Sequence, residues 1–134
     1  MTSEFVHLHN HSDYSLLDGA QQVQQLVNTI DDLNMDSLAL TEHGNMFSVV
    51  PFYQKAKKAG INPIIGCETY VAVGSRHDKK LQPGGGWGNN HLILLVQNQT
   101  GYENLMKLVT AGYLEGFYYR PRIDMDLLEK HSDG

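Results

Sequence analysis

Apolar residues recur three or four positions apart in several stretches of the chain, and each such stretch predicts an amphipathic helix. The clearest covers about residues 21–33, where the apolar face would consist of Val23, Leu26, Val27, Ile30 and Leu33. A second helix is expected to begin near Ser48, a favourable N-cap, and to end at Gly60, a favourable C-terminal cap. A third helix follows a turn at residues 98–101, and a short fourth helix follows Asp124 and extends toward Gly134.

Short apolar runs between these helices predict four strands, at residues 4–9, 37–41, 63–72 and 91–96. The last run is apolar at nearly every position, as in a strand that is covered on both faces. A glycine-rich loop at residues 74–90 separates the last two strands. The alternation of strands and helices favours an α/β fold in which parallel strands are joined by right-handed crossover helices. The pattern alone does not decide between an open sheet and a barrel.

Length and composition indicate one globular domain, since 134 residues with 41% hydrophobic content can bury a core. No apolar run approaches the roughly 20 residues of a membrane helix, and the first residues lack the apolar core of a signal peptide, so no membrane association is expected. The single cysteine, Cys67, cannot form an internal disulfide, which favours a cytoplasmic location. A net charge of −5 argues against a broad electrostatic grip on nucleic acid, so any phosphate affinity is expected to depend on bound metal.

Three histidines at every second position, His7, His9 and His11, form the densest chemical feature of the chain. On an extended strand the side chains of alternate residues point to the same face, so the three imidazoles would converge. Imidazole is the commonest metal ligand in proteins, and the cluster therefore favours a metal site. The alternatives are a solvated polar strand face, or one buried histidine with a hydrogen-bond partner.

Further histidines and carboxylates fall at or near the ends of the predicted strands. Asp18 lies in the loop after the first strand, Glu42 and His43 follow the second, and Glu68 lies within the third. In parallel α/β folds the carboxyl ends of the strands form the active site, so these side chains are expected to meet. His91 is a weaker candidate because it begins its strand, where a hydrogen bond to the backbone is an equal alternative. Imidazole and carboxylate ligands without thiolate suit Zn, Mn or Fe, and two or three such ions favour the hydrolysis of a phosphate ester by lowering the pKa of a bridging water.

Residues 117–122 combine aromatic rings with two arginines, Arg120 and Arg122. This composition is typical of a surface that stacks against single-stranded nucleic acid, so both arginines are candidates for contact with DNA. Packing of the rings beneath a loop, with solvated arginines, is the alternative that we favour.

Several motifs resemble those of the PHP (polymerase and histidinol phosphatase) family. They are His9-x-His11, the Ser-Leu-Leu-Asp-Gly run at residues 15–19 and the Thr-Glu-His-Gly-Asn run at residues 41–45. Three further segments, residues 60–68, 100–105 and 115–124, are similar to the PHP domain at the start of bacterial replicative DNA polymerase III alpha subunits. The resemblance covers essentially the whole chain, in order.

The resemblance implies the N-terminal part of a distorted (βα)7 PHP barrel with a trinuclear metal centre at one mouth. Its metal ligands would be His9, His11, Asp18, His43, Glu68 and His91, and catalysis would depend on His9, His11, His43 and Glu68. His7 stands where many relatives have Asp, so it is expected to border the ligands, as is Glu42. Residues 1–134 would form a partial PHP domain, because the family barrel continues beyond Gly134 with further strands and ligands. In isolation such a segment is expected to fold poorly or to associate.

The resemblance also implies metal-dependent phosphoesterase activity, associated with 3′–5′ exonuclease action on DNA. The parent chain would be a DNA-directed DNA polymerase that uses Mg²⁺ at its own polymerase centre. The implied partners are DNA and other replicase subunits, namely the sliding clamp and the proofreading exonuclease. Two alternatives stay open at this point. One is a free-standing phosphatase of small phosphate monoesters such as histidinol phosphate, and the other is a non-catalytic scaffold that docks the proofreading exonuclease.

Overall fold

A computed structural model describes residues 5–16, 18–80 and 89–134 of the chain. In this part of the chain the elements are, in order, α1 (Val23–Asp32), β1 (Ser37–Leu40), α2 (Val49–Lys58), β2 (Asn62–Ala72), β3 (Asn89–Leu95), α3 (Gln99–Leu114), β4 (Arg122–Ile123) and α4 (Met125–Lys130). Of the helices in the described ranges, none is long and apolar enough to cross a membrane.

The helices predicted from apolar spacing are confirmed. In α1 the buried residues are Val23, Leu26, Val27 and Ile30, four of the five on the predicted apolar face. The end of α2 is closed by Gly60, whose φ of 79° lies in the left-handed region that favours glycine. Its N–H donates to Lys57 O at 3.2 Å, and the next N–H, that of Ile61, donates to Ala56 O at 2.9 Å. This pair of bonds satisfies carbonyls that the helix end leaves unpaired.

The two later helices begin at side-chain caps. The Asn98 side chain accepts a hydrogen bond from Gly101 N at 3.2 Å, and the Asp124 side chain accepts one from Leu127 N at 3.1 Å. α4 ends at Lys130, so the expectation that it extends toward Gly134 is wrong by a turn.

The sheet is mixed, not wholly parallel. β2 pairs parallel with β1, for example Ala39 with Ile64, and parallel with β4 through Tyr70 and Arg122. β2 and β3 pair antiparallel instead, so the prediction of parallel strands is wrong for this pair. Antiparallel neighbours need no crossover helix, and the glycine-rich segment between these strands has no apolar periodicity from which one could form. The glycines at 84–86 and Trp87 lie outside the described residues.

The predicted first strand is wrong, because residues 5–11 form no regular strand ladder. Ala39 N donates to His7 O and Thr41 N donates to Asn10 O, each at 2.9 Å. Two residues along β1 therefore correspond to three along this segment, and regular pairing cannot continue. The expectation that the last predicted strand is covered on both faces is also wrong, since the residues of β3 are partly or well exposed.

Two hydrophobic clusters hold these elements together. The first joins α1, β1 and α2 and contains Phe52 and Leu38, which are fully buried. The second joins the end of β2 to α3 and β4 through Val71, Leu108 and Ile123. β4 was not predicted, because its two residues follow an aromatic stretch that has the composition of a loop. Between the clusters, the ends of β1 and β3 meet the middle of β2.

Candidate metal centre

Glu68, on β2, lies at the centre of four imidazoles, and its side chain is only 3% exposed. One carboxylate oxygen, Oε2, lies 2.5 Å from His9 Nε2 and 3.1 Å from His11 Nε2. The other, Oε1, contacts His91 Nδ1 and lies 3.4 Å from His43 Nδ1. The carboxylate therefore stands between two groups of potential ligands, His9 with His11 and His43 with His91. Within each group of three, the ligand atoms lie within 4.8 Å of one another.

The strand pairing of β2 brings His43 and His91 to Glu68 from opposite sides. His43 continues beyond β1 and forms an isolated parallel bridge with Glu68, in which Glu68 N donates to Glu42 O at 3.0 Å and Gly44 N donates to Glu68 O at 2.8 Å. His91 faces Tyr70 in the antiparallel pairing of β2 with β3. Because β3 runs in the reverse direction, its beginning lies beside the end of β2. This explains how a histidine at the start of its strand reaches the same site as residues at strand ends.

His9 and His11 converge on this site, but His7 does not. The Nε2 atoms of His9 and His11 are 2.9 Å apart, and the His11 ring stacks on His43 with 3.9 Å between ring centroids. The side chain of His7 is exposed and packs against Phe5, with ring centroids 4.8 Å apart. Among the described residues no hydrogen bond or ring contact joins the His7 ring to a candidate ligand, and the expectation that His7 borders the ligands stays a prediction. The irregular pairing of this segment with β1 breaks the strict alternation from which all three imidazoles were expected to converge.

Asp18 is the most exposed of the candidate ligands, with a side chain 69% accessible to solvent. Its Oδ2 lies 2.7 Å from His43 Nε2, while the other ring nitrogen of His43 faces Glu68. His43 thus connects Asp18 with the second group of ligands.

Glu42 is buried beside the site but does not touch the imidazoles in the described contacts. Its carboxylate accepts hydrogen bonds from the hydroxyls of Ser12, Ser15 and Ser48 and from Ser12 N. Ser48 therefore donates to Glu42 and does not cap α2 with its side chain. The Ser15 hydroxyl also accepts from His43 N at 3.0 Å. Glu42 therefore holds Ser12 and Ser15, which lie between His11 and Asp18 in the chain. Through Ser15 this turn is also bonded to the backbone of His43.

The pKa shifts of Glu68 and His11 suit a cation. Burial alone would raise the pKa of Glu68, but the hydrogen bond with His9 and the positive charges of the surrounding imidazoles hold it below the ordinary value for a glutamate. Burial, together with the nearby His43, lowers the pKa of His11. An ionised carboxylate and neutral imidazoles are the forms that ligate metals.

The residues present fit a divalent metal by two tests. Buried Nδ1 atoms of His11 and His43 have no hydrogen-bond partner among the described residues, and that of His43 faces the group shared with Glu68 and His91. Buried polar atoms are rarely left unpaired, and a cation at this group would give the His43 nitrogen a partner. The donor set, imidazole and carboxylate without thiolate, is that of Zn, Mn or Fe sites.

A cavity of about 480 Å³ opens beside the cluster, and His43, His91 and Asp18 form part of its wall. Tyr70 also lines it, with its ring 4.9 Å from that of His91 and 6.4 Å from that of His43. Tyr70 and Asn89 were not singled out from the sequence. Each lies two residues from a candidate ligand on its strand, so strand alternation could have found both.

The two arginines of the aromatic segment have different environments. Arg120 is exposed and lines the cavity, with its guanidinium 5.4 Å from the centroid of the Tyr70 ring. Arg122 is buried, and its guanidinium donates to the backbone oxygens of Gly116, Arg76 and Asp78. The predicted contact of Arg122 with DNA is therefore wrong, because a residue that is only 2% exposed cannot reach a ligand on the surface.

Comparison with known proteins identifies the family of this chain. The family model of the PHP domain matches residues 7–134. DNA polymerase III subunit alpha of Borreliella burgdorferi is 56% identical over 132 residues, which are 98% of this chain and 11% of the relative. The same subunit of Treponema pallidum is 52% identical over 97% of this chain, and that of Thermus aquaticus is 47% identical over 98%, in both cases 11% of the relative. The chain thus spans about a tenth of the length of these relatives.

Two solved structures share the fold. An amidohydrolase from Chromobacterium violaceum, solved with bound sulfate and no metal, has a TM-score of 0.51 at 22% identity and matches 79% of this chain. A proposed metal-dependent phosphoesterase from Bifidobacterium adolescentis has a TM-score of 0.56 at 14% identity and matches 82%. In each case the match covers 34% of the solved chain. The α/β fold class is thereby confirmed, and the match of the family model over nearly the whole sequence shows that this chain belongs to the PHP domain family.

Proposed function

We propose that this chain is part of the PHP domain of a bacterial DNA polymerase III alpha subunit, and that this domain hydrolyses phosphodiesters with bound divalent metals as a 3′–5′ exonuclease on DNA. The names of relatives that are 56% and 52% identical support the first part. One observation carries the second, namely the buried carboxylate of Glu68 with each of its oxygens facing a different pair of histidines. A carboxylate so placed is suited to link two neighbouring cations.

Each metal position would have its own histidines. His9 and His11 with Glu68 would hold one ion, and His43 and His91 with the same carboxylate would hold another. Asp18, beside the outer nitrogen of His43, would serve a third. Zn, Mn and Fe all suit these ligands.

The chain's own groups have defined tasks in such a reaction. When bound, divalent ions polarise a phosphoryl oxygen and make water a nucleophile at neutral pH. Glu68 stays ionised because its pKa is held low, so it balances the charge of both positions. Burial raises the pKa of Tyr70, which keeps its phenol protonated and able to donate a hydrogen bond into the cavity.

The wider assignment follows from the relatives and is a proposal as a whole. The parent chain would be a DNA-directed DNA polymerase with Mg²⁺ at a polymerase centre outside this segment. It would bind DNA, the sliding clamp and the proofreading exonuclease, and it would work in the cytoplasm.

The test combines metal analysis with two substrates. Wild type, His9→Ala and Glu68→Gln are compared with His77→Ala, which removes an exposed histidine whose nearest charged partner is Glu115, 3.9 Å away. Mass spectrometry counts bound metal, and hydrolysis of single-stranded DNA is compared with hydrolysis of histidinol phosphate. Glu68→Gln should lose both metal positions and on the order of a hundredfold or more in DNA hydrolysis, because it removes the shared ligand. His9→Ala should lose one position, and His77→Ala neither metal nor activity.

Three outcomes would contradict the proposal. Metal content and hydrolysis that survive both cluster substitutions would exclude the cluster as the active site. Preference for histidinol phosphate would point to a phosphatase of small monoesters. Bound metal with hydrolysis of neither substrate would favour a scaffold.

A further inference from the structure

We propose that the cavity beside the metal centre is built to hold a nucleotide, with Arg120 binding its phosphate and Phe47 stacking on its base. This inference rests on the proposed phosphoesterase function and adds the residues that would recognise the substrate. It predicts that the site distinguishes a nucleotide from a small aliphatic phosphate.

Arg120 is a cation without an internal anion to neutralise it. Among the described residues that line the cavity it is the one Lys or Arg, and it forms no ion pair with any described carboxylate. The other arginines differ, since Arg76 pairs with Glu115 and Asp124, and Arg122 is held by three carbonyls. In a chain with a net charge of −5, an unpaired arginine aimed into a cavity leaves its donors for an anion from outside. A guanidinium suits phosphate because two of its N–H groups can bond two oxygens at once.

The backbone around Arg120 is constrained by its packing on the turn that follows His43. Tyr119 has a φ of 59°, in the left-handed region that few bulky residues adopt, and Tyr118 N donates to Arg120 O at 3.0 Å. Pro121 packs on Gly44, the residue after His43, so closely that a Cβ on Gly44 would lie 2.8 Å from Pro121 Cγ. A strained residue persists where its surroundings hold it, and such residues concentrate at functional sites. Arg120 is thus fixed next to the turn that carries a candidate ligand.

Phe47 supplies an exposed aromatic face on the same cavity. Its side chain is 65% exposed although its backbone is fixed, because Phe47 N donates to Asn45 Oδ1 at 3.0 Å. Asn45 is buried and also donates to His43 O at 3.1 Å. A large ring held in water gains little from packing, but it offers a platform on which any base can stack. Tyr14 and Tyr113, both 40% exposed, widen this aromatic wall.

The combination of cation and ring selects the ligand class. A phosphate group needs only the arginine, whereas a nucleotide uses the arginine and the ring together. The two side chains should therefore respond differently to two probes, inorganic phosphate and deoxyadenosine 5′-monophosphate.

Binding is measured by calorimetry on the chain in chelator, so that the readout does not depend on metal or turnover. Binding under these conditions would overturn the expectation from the net charge that phosphate affinity depends on metal, because Arg120 would supply the positive charge. Arg120→Ala and Phe47→Ala are compared with Lys58→Ala and Leu114→Ala, which remove an exposed cation and an exposed apolar side chain that do not line this cavity. Arg120→Ala should raise the Kd of both probes about tenfold, because a charge-assisted bond is lost. Phe47→Ala should raise the Kd of the nucleotide about tenfold and leave that of phosphate unchanged. Both controls should bind like wild type.

The inference fails if the wild-type chain binds the nucleotide no better than phosphate, if Arg120→Ala leaves both affinities unchanged, or if Phe47→Ala changes both affinities equally. Those results would leave the proposed hydrolysis intact, since that depends on metal content and on the Glu68 and His9 variants. Conversely, the Glu68 and His9 variants could contradict the hydrolase proposal while Arg120→Ala and Phe47→Ala still change binding as expected. The cavity would then be a nucleotide-binding site without that chemistry.

Discussion

Replacing Glu42 with Gln should destabilise the protein strongly, although Glu42 is not a proposed ligand. Its buried carboxylate accepts from three serine hydroxyls and one backbone N–H. The amide keeps one acceptor oxygen and turns the other into a donor, so about half of these bonds lose their acceptor. A hydrogen bond to a charged group contributes about 1.5–3 kcal/mol, and hydroxyls that rotate recover part of the loss. We expect the free energy of unfolding to fall by about 2–4 kcal/mol, a large share of the roughly 5–15 kcal/mol typical of a domain.

The assay is urea unfolding of wild type and variant in chelator, which removes any contribution from metal. Glu129→Gln is the matched control, because Glu129 is exposed on α4 and should change stability by less than about 0.5 kcal/mol. The same variant should bind metal about 10-fold to 100-fold more weakly, because Glu42 fixes Ser15 and Ser15 accepts from His43 N. A loss of stability below about 1 kcal/mol would refute the argument that these hydroxyls depend on the charge.

Three further predictions concern the core, a buried ion pair and the turn after His43. Phe52→Ala should lower the free energy of unfolding in urea by about 3–5 kcal/mol, because Phe52 is fully buried. Tyr53→Ala changes a well-exposed neighbour and should lower it far less. Equal losses would contradict the assigned core. Burial alone would raise the pKa of Asp124, but hydrogen bonds and the charge of Arg76 lower it below its ordinary value. The stability that Asp124→Asn removes at pH 7 should therefore be constant above about pH 4 and shrink as the pH falls from there through the lowered pKa, and a difference that does not shrink on acidification would contradict this. Gly44→Ala should destabilise by about 1–3 kcal/mol because of its positive φ and its contact with Pro121, and a neutral result would disprove that close packing.

The sequence predicted the elements whose signals are local. The face of α1, the end of α2 at Gly60 and the cap at Asp124 all follow from residues a few positions apart. The convergence of His43 and Glu68 also followed from the position of each at or within a strand of a parallel pair.

The remaining features depend on contacts that are distant in sequence. The sequence of β3 does not indicate whether the strand runs parallel or antiparallel to β2, because an apolar run is compatible with both. Arg122 lies only two residues from the exposed Arg120, and only the fold surrounds it with three carbonyls. The irregular backbone of residues 5–11 separates His7 from His9, which alternation alone treats as equivalent.

Because β2 and β3 pair antiparallel, the candidate metal centre can form in only one register of the two strands. A slip of one residue in this pairing would turn His91 to the opposite face of the sheet, and a slip of two would move it about 7 Å along the strand. In either case His91 would no longer reach Glu68. A cation that needs both residues therefore stabilises one alignment of the strands and no other, and the chemistry of the site contributes to selecting the fold on which it depends.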